Sequence, residues 1–144
     1  MKTVRDILKQ KGSQVWTVIP GTKVYDALKL MAEKNIGAVL VTENDEIKGI
    51  LSERDYARKV VLEGHSSQKL NVEKIMSTNV LYVSPEAKTE DCMALMIEKK
   101  LRHLPVLEDN KLIGIISIGD VVNVLLNHKD YMIDQLEKYI TNRI

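Results

Sequence analysis

Two short segments combine residue types that can hold a ligand. They are Ser52-Glu53-Arg54-Asp55, within GILSERD at 49–55, and Ser117-Ile118-Gly119-Asp120, within GIISIGD at 114–120. In each, an apolar run enters a serine, and an aspartate follows three residues later, where a helix is expected to begin. A serine at a helix N-cap accepts the amide three residues on, and an acid at that third position reaches back and complements the helix dipole. Such a cap stabilises a helix by about 1 kcal/mol. The same geometry suits a ligand: a carboxylate accepts hydrogen bonds from two vicinal ribose hydroxyls, while a serine hydroxyl and free helix amides suit a phosphate or ribose oxygen. The residues alone leave both readings open.

The elements that position these segments repeat. The two motifs lie 65 residues apart, and at that offset residues 13–62 align with 78–127 without a gap, giving 15 identities in 50 pairs. Chance would give about 3 at ordinary amino-acid usage, so the chain contains a duplicated unit. Two copies are too few for a solenoid and are expected to pack about a pseudo-twofold axis. Each copy reads as a short strand (VWTVIP at 15–20, VLYVSP at 80–85), a helix, a hairpin of two apolar strands (IGAVLV then IKGILS; LRHLPVL then LIGIIS), and a second helix starting near Ser52 or Ser117. Gly64 suits the C-terminus of the first of these. A short helical piece precedes each copy, VRDIL at 4–8 and VEKIM at 72–76. The fold class is therefore α/β, a duplicated β-α-β-β-α unit, with repeat one at 1–66, repeat two at 67–128 and a further helix at 129–144. In that last helix Tyr131, Ile133 (or Met132), Leu136, Tyr139 and Ile140 approximate an apolar stripe, which either closes the core or forms a dimer contact.

Composition narrows the function. Hydrophobic residues at 44% and charged residues at 28% fit an ordinary globular chain, and a net charge of +1 gives no global attraction to nucleic acid or anionic membrane. No apolar run approaches the roughly 18–20 residues that span a bilayer. The start is a poor signal peptide, so the expected location is the cytoplasm. With Cys92 alone no intrachain disulfide forms, and its place on an apolar helix face reads as core. His65, His103 and His128 lack ligand spacing. There is no P-loop, no G-x-S-x-G and no G-x-G-x-x-G, so neither metal nor catalytic residues are expected.

The duplicated β-β-α core, the paired GILSERD and GIISIGD segments and the strands IGAVLV and LRHLPV resemble the tandem CBS-domain module, also called a Bateman module. The runs VYDALKLMAEKNIGAVLV, SERDYARKVVLEG, RHLPV and ISIGDVV look most like its small stand-alone CBS-pair members. The resemblance covers nearly the whole chain. It implies a CBS-pair fold, a homodimer, clefts between repeats that bind AMP, ADP, ATP, NAD(H) or S-adenosylmethionine, no catalysis, and a regulatory role exerted on a partner protein. It implies that Asp120 and Asp55 hold ribose, with Ser117 and Ser52 near the phosphate. Ile36, Gly37 and Ala38 would line the cleft of Asp120, with Ile118 and Gly119. Leu101, Arg102 and His103 would line that of Asp55, beside Arg54. Trp16 and Leu81 would wall an adenine, although Trp16 reads equally as core, and Ile36 and Leu101 read by default as core packing. Arg102 and His103 face phosphates as guanidinium and imidazolium, or else pair with surface acids. The other reading of the whole chain is a structural interaction protein that binds no nucleotide.

Overall fold

The computed structural model describes residues 2–141, and the side chains of all of these except 128, 130, 131 and 139–141. The chain divides into two compact units. One comprises Val15–Leu81; the other joins the residues through Gln14 to those from Tyr82 onward.

In the unit Val15–Leu81, β1 (Thr17–Val18) pairs parallel with β2 (Ala38–Glu43), which pairs antiparallel with β3 (Glu46–Ser52). Asn44 and Asp45 turn the hairpin with φ of 53° and 63°, the left-handed pair whose twist matches that of the strands it joins. Helix α2 (Val24–Lys34) ends at Asn35 in the left-handed region, and the Ile36 amide returns to the Met31 carbonyl at 3.0 Å. Val24, Ala27 and Met31 of α2 are buried with Val39, Val41, Leu51 and Val60. The helix expected after Ser52 begins as α3 (Glu53–Tyr56) and widens into a π turn at Ala57–Val61, before Gly64 at φ +76°. VEKIM forms a single 3-10 turn, Val72–Lys74.

The other unit contains α1 (Val4–Lys11), α4 (Thr89–Lys99), the antiparallel hairpin of β4 (His103–Glu108) and β5 (Lys111–Ser117), and α5 (Ile118–Thr141). Asp109 and Asn110 form the same left-handed turn as Asn44 and Asp45. Val4, Ile7, Cys92, Met96, Leu104, Val106, Ile116 and Val121 are buried. The strand expected at 80–85 shrinks to one bridge, Val83 to Val106. Pro105 stands where the first repeat has Leu40, and a ladder extended past Val83 would need an amide there that proline lacks.

The segment preceding each repeat belongs to the unit built on the other repeat. The Val4 amide donates to Ala87 and that of Arg5 to Pro85, at 2.9 and 2.8 Å. In the other unit Val72 donates to Thr22 and Glu73 to Pro20, at 2.8 and 3.3 Å. This docking explains the glycines of the two motifs. A Cβ on Gly114 would lie 2.7 Å from Leu8 Cδ2, and one on Gly49 would lie 2.6 Å from Met76 Sδ and 2.9 Å from the Ser77 carbonyl oxygen.

The helix expected to start at 129 is the continuation of α5, which runs unbroken because no glycine or proline falls between Asp120 and Thr141. Met132, Ile133 and Leu136 are exposed, and the side chains of Tyr131, Tyr139 and Ile140 lie outside the described residues. No described helix is long and apolar enough to cross a membrane.

Candidate functional site

Ser117 ends β5 directly opposite His103, the first residue of β4, and the Ile118 amide donates to the Arg102 carbonyl at 2.8 Å. This sheet register brings Arg102 and His103 to the start of α5. There the cap forms as expected: the Asp120 amide donates to Ser117 Oγ at 3.2 Å, and the Ser117 amide donates to Asp120 Oδ2 at 2.8 Å. A third group converges on the same oxygen. Lys11, the last residue of α1, donates from Nζ to Asp120 Oδ2 at 2.7 Å and to the Ile115 carbonyl at 2.9 Å. Burial alone would raise the Asp120 carboxyl, but Lys11 and the Ser117 amide outweigh it and hold the group below its ordinary value. Burial, aided by Lys11 and Arg102 against the pull of Asp120, holds His103 below the ordinary imidazole value. The imidazolium expected from the sequence is thus disfavoured near neutral pH, and His103 presents a neutral ring. Gly119 is exposed, and a Cβ there would meet only Ser117 Oγ, at 3.6 Å.

The equivalent place in the other unit differs. Ala38 sits opposite Ser52, and the Glu53 amide donates to the Gly37 carbonyl at 3.1 Å. Both the amide and the hydroxyl of Ser52 donate to Asp55 Oδ2 at 3.0 Å, and the Asp55 amide donates to Ser52 Oγ at 3.1 Å. Lys59, one turn on, lies 3.6 Å from Asp55 Oδ1 and donates to the Ile75 carbonyl at 3.0 Å. Ile36 packs partly against the core, Ala38 is buried and Arg54 is exposed. Trp16 is half-buried, with Lys34 Nζ 4.3 Å from its ring centre, and falls outside the buried core. Leu81 and Leu101 are half-buried. The groupings expected from the sequence, Arg102 and His103 with Asp55 and Ile36–Ala38 with Asp120, draw residues from both units. Within each unit the adjacency is Arg102 and His103 with Ser117, and Gly37 and Ala38 with Ser52.

Lys11 and Lys59 are not among the residues that the sequence singles out. Lys59 stands four residues after Asp55, a spacing that pairs charges on a helix. Nothing in the sequence signals Lys11, whose partner is 109 residues away. Among the described residues no group of three or more His, Cys, Asp or Glu could hold a metal ion. Burial pushes the Cys92 thiol up to about 11, which leaves it unreactive as a thiolate.

The CBS-domain family model matches residues 4–62 and 72–127. A mitochondrial CBS-domain protein of Arabidopsis thaliana, CBSX3, is 38% identical over 96% of this chain and 71% of its own length. The solved structure of a putative signal-transduction protein with CBS domains from Burkholderia ambifaria MC40-6 is 55% identical, covers 88% of this chain and 95% of its own, and superimposes with a TM-score of 0.85. The CBS domain pair of protein MJ0100, solved with 5′-methylthioadenosine and S-adenosyl-L-methionine, shares the fold at a TM-score of 0.78 and 20% identity, covering 89% of this chain and 98% of its own. With both repeats matched and the α/β architecture shared, the chain belongs to the CBS-domain family, as a tandem CBS pair.

Proposed function

We propose that the chain is a non-catalytic regulatory module that binds an adenine nucleotide and controls a partner protein through the conformation the ligand favours. The observation that carries this reading is the Asp120 carboxylate: the Ser117 amide fixes one of its oxygens at 2.8 Å, and basic groups stand beside it. A fixed carboxylate is an acceptor for a ribose diol, and Lys11 and Arg102 supply cations for a phosphate. Ser117, Ile118 and Gly119 form the start of the helix at which the ligand sits, and the exposed Gly119 leaves room for close approach. Asp55, Ser52 and Arg54, with Ile36, Gly37 and Ala38 beside them, form the second candidate set. Trp16, Leu81 and Leu101 supply apolar surface for the base. The ligands of the MJ0100 pair are adenosine derivatives, which accords with this choice, although at 20% identity that protein shares only the fold.

The ligand class is AMP, ADP, ATP or NAD(H), with S-adenosylmethionine as a further candidate, and the assembly is a homodimer. Ligand shifts a conformational equilibrium only by its differential affinity for the two states, so the partner must distinguish them. Melting the protein with each compound tests the reading. Ligand at about 100 times its dissociation constant stabilises the fold by about 2.7 kcal/mol, and Asp120→Ala removes that gain. No shift with any of these compounds, supported by calorimetry, rejects it.

A second reading has its own support. Asp55 Oδ2 takes two bonds from Ser52, and Lys59 attends Oδ1. That carboxylate already serves its own helix, as it would in a structural interaction protein that binds no nucleotide. In that case Asp55→Ala lowers stability and changes no affinity.

A further inference from the structure

We infer that Lys11 determines specificity in the unit that carries Asp120, selecting an adenosine ligand with a 5′-phosphate over a neutral or cationic one. The inference rests on the nucleotide-binding reading above and narrows its ligand class. Lys11 Nζ is held by Asp120 Oδ2 at 2.7 Å and by the Ile115 carbonyl at 2.9 Å, with about a third of its side chain and a fifth of that of Asp120 exposed to solvent. A ribose diol must take its bonds from the carboxylate that this ammonium already engages. For a neutral nucleoside the ammonium is therefore a competitor: a diol that takes both carboxylate oxygens must share Oδ2 with Lys11 and the Ser117 amide, which weakens the ion pair. A ligand with a 5′-phosphate removes the conflict, because it brings an anion to replace the carboxylate as the acceptor of the ammonium. Arg102, whose carbonyl accepts from the first amide of α5, brings a second cation to the start of that helix, next to His103, which is paired with Ser117 in the sheet. S-adenosylmethionine places a sulfonium where a 5′-phosphate would be, a further cation beside Lys11, and its only anion, the carboxylate, lies at the far end of its amino-acid chain.

The opposed roles of one side chain make the test sharp. Titration calorimetry on the full chain with AMP, adenosine and S-adenosylmethionine should rank them in that order. Lys11→Met should weaken AMP by about tenfold, the loss of one charge-assisted hydrogen bond, while adenosine binding stays level or tightens. Lys11→Arg should restore the preference, and Asp120→Asn should weaken AMP and adenosine alike. If Lys11→Met weakens AMP and adenosine by the same factor, the side chain acts only through folding and the inference is overturned; so it is if the variant changes neither. Wild-type protein that binds adenosine and AMP equally overturns the inference and leaves nucleotide binding standing. Protein that binds none of the three, with melting showing it folded, overturns both.

Discussion

The two units build the same serine-aspartate cap and complete it in different ways. In one, the carboxylate of Asp55 is served from its own helix, by Ser52 and by Lys59 four residues on. In the other, the carboxylate of Asp120 shares its oxygen between Ser117 and Lys11, which arrives from a helix more than 100 residues earlier in the chain. The first arrangement is local and stabilises one helix start. The second ties a remote helix to the start of α5 through a single carboxylate, so whatever competes for that carboxylate also acts on the tie. Duplication supplied two equal frames, and the difference lies in which lysine reached the acid.

Substitutions at equivalent positions sharpen this contrast. The largest effect is expected at the glycines. Gly49→Ala should destabilise by about 1–3 kcal/mol, the usual cost of overpacking, because its Cβ meets the Ser77 carbonyl as well as the Met76 side chain. Gly114→Ala should cost less, since only side-chain atoms of Leu8 are in the way and no backbone, and Leu8→Ala in the same chain should remove the clash. Urea unfolding midpoints decide this, and equal costs would mean that the two docked segments are held alike. Next come the caps: Ser52→Ala and Ser117→Ala should each cost about 1 kcal/mol. The loss at Ser52 should be the greater, because its hydroxyl both donates to Asp55 and accepts from it.

The smallest effect is a difference in acid sensitivity. His103 is held below the ordinary imidazole value, so as pH falls past about 6.5 the unfolded chain takes up its proton first and the fold loses stability. Asp120, also depressed, stabilises the fold above the ordinary carboxylate value, and that contribution is lost as pH falls through its folded value. Both act in the same direction, in successive windows. His103→Gln should remove the upper step between pH 7.5 and 5.5 in thermal melts. The other unit has Ala38 in that place. A midpoint that rises on acidification would contradict the assignment.

Much of this was legible beforehand, for identifiable reasons. The duplication shows as residue identity at one fixed offset, and the two hairpins and the caps at Ser52 and Ser117 are local patterns that local physics determines. Residues 80–85 are strand-like by themselves, whereas the amide that a longer ladder lacks belongs to Pro105 in the neighbouring strand. The break expected near 129 ignored that nothing between Asp120 and Thr141 ends a helix. Most telling, VRDIL and VEKIM stand beside the repeats they precede in sequence, yet each docks on the unit of the other. Their partners, the glycines that admit Leu8 and Met76, are distant in sequence, and so is the partner of Lys11.

That exchange has a kinetic consequence. Val15–Leu81 is continuous in sequence, so all its contacts are available once that stretch leaves the ribosome. The other unit is assembled from both ends of the chain, and α1 has no place to dock until the residues around Pro85–Lys88 and Ile115–Asp120 have been made. At about 5–20 residues per second, Lys11 waits on the order of 5–20 s for its partner. The unit with the local cap should therefore fold first during synthesis, and the unit with the shared carboxylate should be completed last.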